Sequence, residues 1–113
     1  MIKITIVKSG DNVTAINCIG HSGYAESGSD IVCAMVSVLT QNAQKTFEEI
    51  LHINTQFVRD EDIPSLSISL PKLDKDVADK AYLIMNSTAN GLMDIASSFP
   101  KHINIKEKRK WKY

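Results

Sequence analysis

Val32, Met35, Val36, Leu39, Ala43, Phe47, Ile50 and Leu51 recur at helical spacing across residues 31–51. Read as one helix, that run is about 30 Å long, enough to cross a domain of this size. Everything else in so short a chain has to pack along it or beneath it. Up to Leu39 nearly every position is apolar or small, so the front half is expected to be buried on most sides. Polar residues return from Gln41, and Glu48 and Glu49 predict an exposed back half. Asp30, just ahead of Ile31, is a good N-cap because its carboxylate can accept from the free amides of the first turn.

A second helical run follows Asp74, a candidate cap. Val77, Ala81, Ile84, Met85, Thr88, Leu92, Ile95, Ala96 and Phe99 form one face, and Pro100 ends it. Gly91 inside that run costs about 1 kcal/mol relative to alanine, which calls for a close packing contact. Around the helices the period changes to two. Ile2, Ile4 and Ile6 alternate with Lys3 and Thr5, Ser9-Gly10-Asp11-Asn12 is a turn cluster, and Val13 to Ile19 resumes a strand, giving a hairpin over residues 2–20. His52 to Val58 is a weaker strand and Ser65 to Leu70 a clean one, joined by a turn from Arg59 to Pro64. Ile103 and Ile105 suggest a last short strand. The order ββαββαβ describes a two-layer α+β domain over residues 1–113, a mixed or antiparallel sheet with both long helices on one face. A second copy of the chain is the simplest cover for the other face if that face is apolar.

With 113 residues, 43% apolar and 23% charged, the chain has the length and composition of one ordinary globular domain. No run of 18 apolar residues and no basic-then-apolar leader is present, so neither a membrane span nor a signal peptide is expected. Cys18 and Cys33 then read as reduced thiols of a cytoplasmic protein, Cys18 as a small buried hydrophobe. The formal charge is zero but lopsided. Residues 101–113 hold six Lys or Arg against Glu107, a net +5, which leaves −5 on the other hundred. Such a basic end reads as a solvated, partly frayed terminus, or as a surface for RNA or an acidic partner. Asp60, Glu61 and Asp62 lack the spacing of a metal loop, and nothing calls for a metal or other cofactor.

Chemistry concentrates between the first hairpin and the first helix. Gly20, Gly23 and Gly28 lie among Ser22, Ser27 and Ser29, and a loop of that make-up, about residues 21–32, is expected to be mobile. His21 and Cys33 bracket it. Cys33 falls in the first helical turn, where unpaired amides and the helix dipole favour a thiolate, and His21 reaches the sulfur if the loop folds back. That is an activated Cys–His arrangement, in which the imidazolium formed by taking the thiol proton later protonates the leaving amine. First-turn amides, that of Cys33 included, are candidates for an oxyanion hole. Asp30 has two possible tasks, capping the helix or orienting His21. Ser22 lacks a nucleophile elbow, the glycines miss both nucleotide-binding patterns, and no Cys-x-x-Cys is present.

Gly20-His21-Ser22-Gly23-Tyr24-Ala25, then Gly28-Ser29-Asp30-Ile31-Val32-Cys33-Ala34, then Ser37, closely resembles the ribosomal-processing cysteine protease (Prp, YsxB-like) family. The length and the ββαββαβ order fit that family along the chain. The resemblance implies a cytosolic homodimeric endopeptidase. It would remove the N-terminal extension of a large-subunit ribosomal protein, number twenty-seven, cutting after an alanine that follows two aromatic residues. It implies His21 as general base and Cys33 as nucleophile, with Asp30 and Ser37 in support. Ser22, Gly23, Tyr24, Gly28 and Ser29 match a segment that orders over the substrate, and no cofactor is implied. A reading from another class is a non-catalytic ribosome-associated or RNA-binding protein using the tail from Lys101 to Lys112, with Trp111 as a stacking residue.

Overall fold

A computed structural model describes residues 1–20, 30–60 and 64–110. His21, Ser22, Gly23, Tyr24, Gly28 and Ser29, with Glu61, Asp62 and Trp111, lie outside the described residues.

The elements run β1 (Ile2–Ser9), β2 (Asn12–Ile19), α1 (Ile31–Lys45), a π-helical turn (Thr46–Ile50), β3 (Gln56–Asp60), β4 (Ser65–Ser69), α2 (Lys75–Ser98) and β5 (Ile103–Arg109). This is the ββαββαβ order read from the pattern. The strands form one mixed sheet in the order β3-β4-β2-β1-β5, antiparallel throughout except for the parallel β1–β5 pair. A parallel last pair follows because β5 reaches its place by way of α2, a crossover longer than any hairpin.

Alternation along the strands decides the faces. Ile2, Ile4 and Ile6 of β1, Ile16 and Cys18 of β2, Ile68 of β4 and Ile103 of β5 point to the helices and form one buried cluster with Val32, Val36, Phe47, Met85 and Leu92. The opposite face carries Lys3, Thr5 and Val7, then Ala15, Asn17 and Ile19, then Ser65, Ser67 and Ser69. That face is mixed, with lysines, serines and Asn17 around the exposed Ile19 and Val58.

Several sequence expectations change in detail. The front half of α1 is not buried on most sides: Ile31, Ala34 and Val38 are exposed, Val38 by 66%. Those positions recur every three to four residues, so they form one solvent-facing stripe beside the buried Val32–Val36–Ala43 stripe. The helix does continue to Ile50, but its last turn widens, with the Leu51 amide donating to the Thr46 carbonyl at 3.1 Å. His52 then takes a left-handed φ of +53°, a stop made without glycine. Arg59 and Asp60 belong to β3 and not to the turn. Asp74 occupies the N-cap of α2 without a side-chain cap bond. The basic end is no frayed tail as far as Arg109, because Lys106, Lys108 and Arg109 pair with Thr5, Val7 and Lys8.

Gly91 meets the expectation of close packing. A Cβ there would lie 2.9 Å from a δ-methyl of Leu39, so the glycine lets α1 and α2 approach. Asn86 of α2 serves the sheet: its Oδ1 accepts from the Val13 amide at 2.8 Å, beside the irregularity that shifts register at Val7/Lys8.

Candidate active site

Cys33 lies in the first turn of α1, and that turn is built around Asp30. The Asp30 backbone is extended, and its Oδ1 accepts from the Val32 amide at 3.0 Å and the Cys33 amide at 3.1 Å. The Ala34 amide donates to the Asp30 carbonyl at 3.1 Å. Asp30 therefore caps the helix, which answers one half of the alternative left open by the sequence. The same bonds revise the oxyanion-hole expectation. The Cys33 amide is already donated to a carboxylate, so it can face a reacting carbonyl only if Asp30 lets go.

Beyond the cap, Cys33, Val36, Ser37 and Thr40 recur at steps of three and four, one face of α1 about 10 Å long. All four line a cleft of about 340 Å³. Thr40 is fully buried, and its hydroxyl donates back to the Val36 carbonyl at 2.9 Å, so it adds shape without an unmet polar group. The Ser37 Oγ accepts from Gln41 Nε2 at 2.5 Å.

The sheet supplies the facing wall. β2 is paired so that Cys18 lies opposite Leu66 of β4, and Leu66 in turn opposite Arg59 of β3. Cys18, Leu66 and Arg59 thus form one row across the floor of the cleft, with Ile2 beside them and Pro64, Ser65 and Asp60 at the rim. Cys18 is 6% exposed, and burial pushes its thiol up to about 12 from 9.0. It remains protonated at neutral pH, as the buried hydrophobe expected from the pattern. Both cysteines are free thiols.

Gly20 closes β2 at the edge of the cleft, one residue before His21. Its φ is +101°, and a Cβ at this position would stand 2.6 Å from the Met1 carbonyl oxygen. Its amide donates to the Pro64 carbonyl at 2.7 Å. No residue but glycine fits there without moving backbone. The backbone at the end of β2 is therefore held by a local steric fact.

Of the predicted site residues, Cys33 and Ser37 come together in the cleft, and Asp30 acts one step behind them through the helix cap. His21, Ser22, Gly23, Tyr24, Gly28 and Ser29 belong to the part of the loop outside the described residues. The sequence reading missed Leu66, Arg59 and Thr40. Thr40 was accessible from helical spacing alone, at seven residues from Cys33. Leu66 and Arg59 required the β2–β4–β3 register, which alternation within single strands does not give. Among the described residues no cluster of three or more His, Cys, Asp or Glu side chains could hold a metal. None of their helices is long and apolar enough to cross a membrane.

Comparison with known proteins now decides the family. The sequence matches the family described as Cysteine protease Prp over residues 1–104. The chain belongs to the Prp cysteine protease family. It is 35% identical over 112 residues to the ribosomal processing cysteine protease Prp of Mycoplasma pneumoniae, covering 97% of this chain and 98% of that one. Against the namesake from Mycoplasma genitalium it is 33% identical over 88 residues, covering 78% and 82%. Among solved structures, SMU.848 from Streptococcus mutans superposes with a TM-score of 0.84 at 26% identity, over 97% of this chain and 96% of that one. The essential ribosomal processing protease Prp from S. aureus, in complex with a covalently linked product peptide, gives 0.85 at 23% identity over 96% and 100%. The last likeness is one of fold. Family and relatives make the chain a cysteine protease.

Proposed function

We propose that the chain is an endopeptidase that removes the N-terminal extension of ribosomal protein twenty-seven of the large subunit, with Cys33 as nucleophile and His21 as general base. One observation carries the choice of Cys33: it is the cysteine at a capped helix start that is half-buried in an open cleft, whereas Cys18 is held protonated in the floor. In this reading His21 takes the Cys33 thiol proton and the sulfur attacks the scissile carbonyl carbon. The imidazolium then returns the proton to the leaving amine, and water hydrolyses the thioester. The apolar floor of Cys18, Leu66 and Ile2 receives the residues before the cut, where an alanine follows two aromatic residues. The S. aureus relative in complex with a substrate peptide supports a peptide ligand for this fold. The setting is the cytoplasm, where ribosomes assemble. A homodimer is part of the same reading, and the exposed Ile31–Ala34–Val38 stripe offers it an apolar contact.

The test is mass spectrometry of a peptide spanning extension and mature start, incubated with wild type, Cys33→Ala and His21→Ala. A single cut after the aromatic-aromatic-alanine segment, absent in both variants, is expected. Cleavage that survives Cys33→Ala removes the assignment.

A further inference from the structure

The sheet face turned away from the cleft has a composition that catalysis does not use. Lys106 and Lys108 of β5 alternate with the inward Ile105 and Glu107, and they pair with Thr5 and Val7 of β1. Lys3, also outward, lies diagonally beside Lys106, since its own partner is Asn104. Next come Asn17 and Ala15 of β2, then Ser67 and Ser69 of β4. Lys3, Lys106 and Lys108 are exposed, and among the described residues none of them forms an ion pair. Glu107 does not neutralise them, because it points the other way and is held by Lys8 at 3.1 Å. Among the described residues, the one carboxylate that strand alternation puts on this side is Asp60, on the far edge strand and also at the cleft rim. Other described carboxylates lie away from this face, with Glu48 and Glu49 in the π turn and Asp76, Asp79 and Asp94 on α2. Among the described residues, this face is cationic at its β1–β5 end.

We infer that this face binds the sugar-phosphate backbone of an RNA duplex. Three lysines set on neighbouring strands meet phosphates as point charges. Lys106 and Lys108 are roughly 7 Å apart along β5, twice the rise per residue of a strand. The hydroxyls and amides of Thr5, Asn17, Ser67 and Asn104 supply short polar partners for phosphate and for the 2′-hydroxyls that an A-form minor groove presents. Among the described residues no aromatic side chain stands on the face, so they offer no stacking platform of the kind unpaired bases require. The face lies on the other side of the sheet from Cys33, so RNA and a peptide can be held together. RNA is the polyanion at hand only if the substrate is a ribosomal protein, and that clause rests on the function proposed above.

The experiment is fluorescence anisotropy of a labelled RNA duplex of about 16 base pairs against the full chain, titrated from low to moderate salt. Wild type, the triple variant Lys3→Gln/Lys106→Gln/Lys108→Gln, and Cys33→Ala are compared. Wild type and Cys33→Ala are expected to bind alike. The triple variant should bind at least about tenfold more weakly, with a log K against log salt slope reduced by about 2 to 3. Its peptide cleavage should equal that of wild type, which reads the catalytic assignment separately from RNA binding. Equal RNA affinity and salt slope in the triple variant would overturn the inference. So would a drop in its sedimentation mass, since the face would then be an interface between copies.

Discussion

The two walls of the cleft carry one cysteine each, and they treat it oppositely. On the sheet wall, Cys18 is fixed by a two-residue alternation and by register against Ile4 and Leu66, and its sulfur is withdrawn from water. On the helix wall, Cys33 stands in a first turn whose amides are gathered by Asp30, and it is only half-buried. One thiol is packed into the floor, and the other stands at the open side of the cleft. What separates them is the environment the backbone makes: the strand interior withdraws a thiol from water, whereas the helix start holds one at the cleft beside a capping carboxylate that takes the first-turn amides.

The largest expected difference is in activity. Cys33→Ala should lower kcat/KM for the extension peptide by a factor of about 10³ or more, the scale of losing a nucleophile. Cys18→Ala should leave cleavage within about tenfold and instead cost roughly 1–3 kcal/mol of stability, through lost burial and a small void in the floor. Chemical denaturation run beside the cleavage assay separates the two. A Cys18→Ala protein that is fully folded yet inactive would break the division of labour between the walls.

The next effect concerns how the sheet wall hands the chain to His21. Gly20→Ala meets both a left-handed φ of +101° and a carbonyl oxygen 2.6 Å away, and the obstacle is backbone, not a side chain that can rotate. The expected cost is at least about 1–3 kcal/mol, the range for a non-glycine residue forced into such a conformation. A disproportionate loss of kcat should accompany it as the exit toward His21 shifts. Unchanged stability in a melting experiment would show that Met1 yields easily and that the glycine is not what fixes the exit.

These particulars show what was legible in the chain. Cys33 and its cap were readable because helix starts are written locally: an aspartate, then an apolar run. The hairpins and both helices were readable for the same reason. The row Cys18–Leu66–Arg59 was not, because it joins β2 to the distant β3–β4 hairpin through a register that no single strand encodes. The exposure of Ile31 and Val38 was missed because an all-apolar stretch has no period to show which side faces out. The reach of β5 through Lys106 to Arg109 was hidden too. Charged residues read as a tail until a parallel neighbour, β1, turns them into an edge strand.

A third difference between the walls depends on pH. Burial raises the Cys18 thiol from 9.0 to about 12 in the folded protein. Above pH 9 the unfolded chain ionises this thiol while the folded chain keeps it protonated, so the unfolded state gains. The stabilisation is complete below pH 9 and is lost progressively toward about 12, at up to about 1.4 kcal/mol per pH unit. Cys18→Val, which keeps the apolar volume and removes the titration, should flatten that part of the curve. Parallel denaturation curves for the two proteins from pH 8 to 11 would contradict the burial of the thiol.

The smallest effect asks how far the helix wall is tuned beyond Cys33. Gln41 donates its amide to Ser37 Oγ, so the Ser37 hydroxyl serves as acceptor on the outer side and retains its own proton for a partner in the cleft. Gln41→Leu removes the donor, and Ser37 is then free to turn its proton elsewhere. One neutral hydrogen bond is worth about 0.5–1.5 kcal/mol, so cleavage should slow by about two- to tenfold with little change in melting temperature. Gln41→Glu goes further, since a carboxylate accepts the Ser37 proton and draws it away from the cleft. It should therefore be slower than Gln41→Leu, despite being closer in shape to glutamine. If instead the two variants match wild type, the Ser37 hydroxyl contributes shape alone, and the chemistry of the helix wall begins and ends with Asp30 and Cys33.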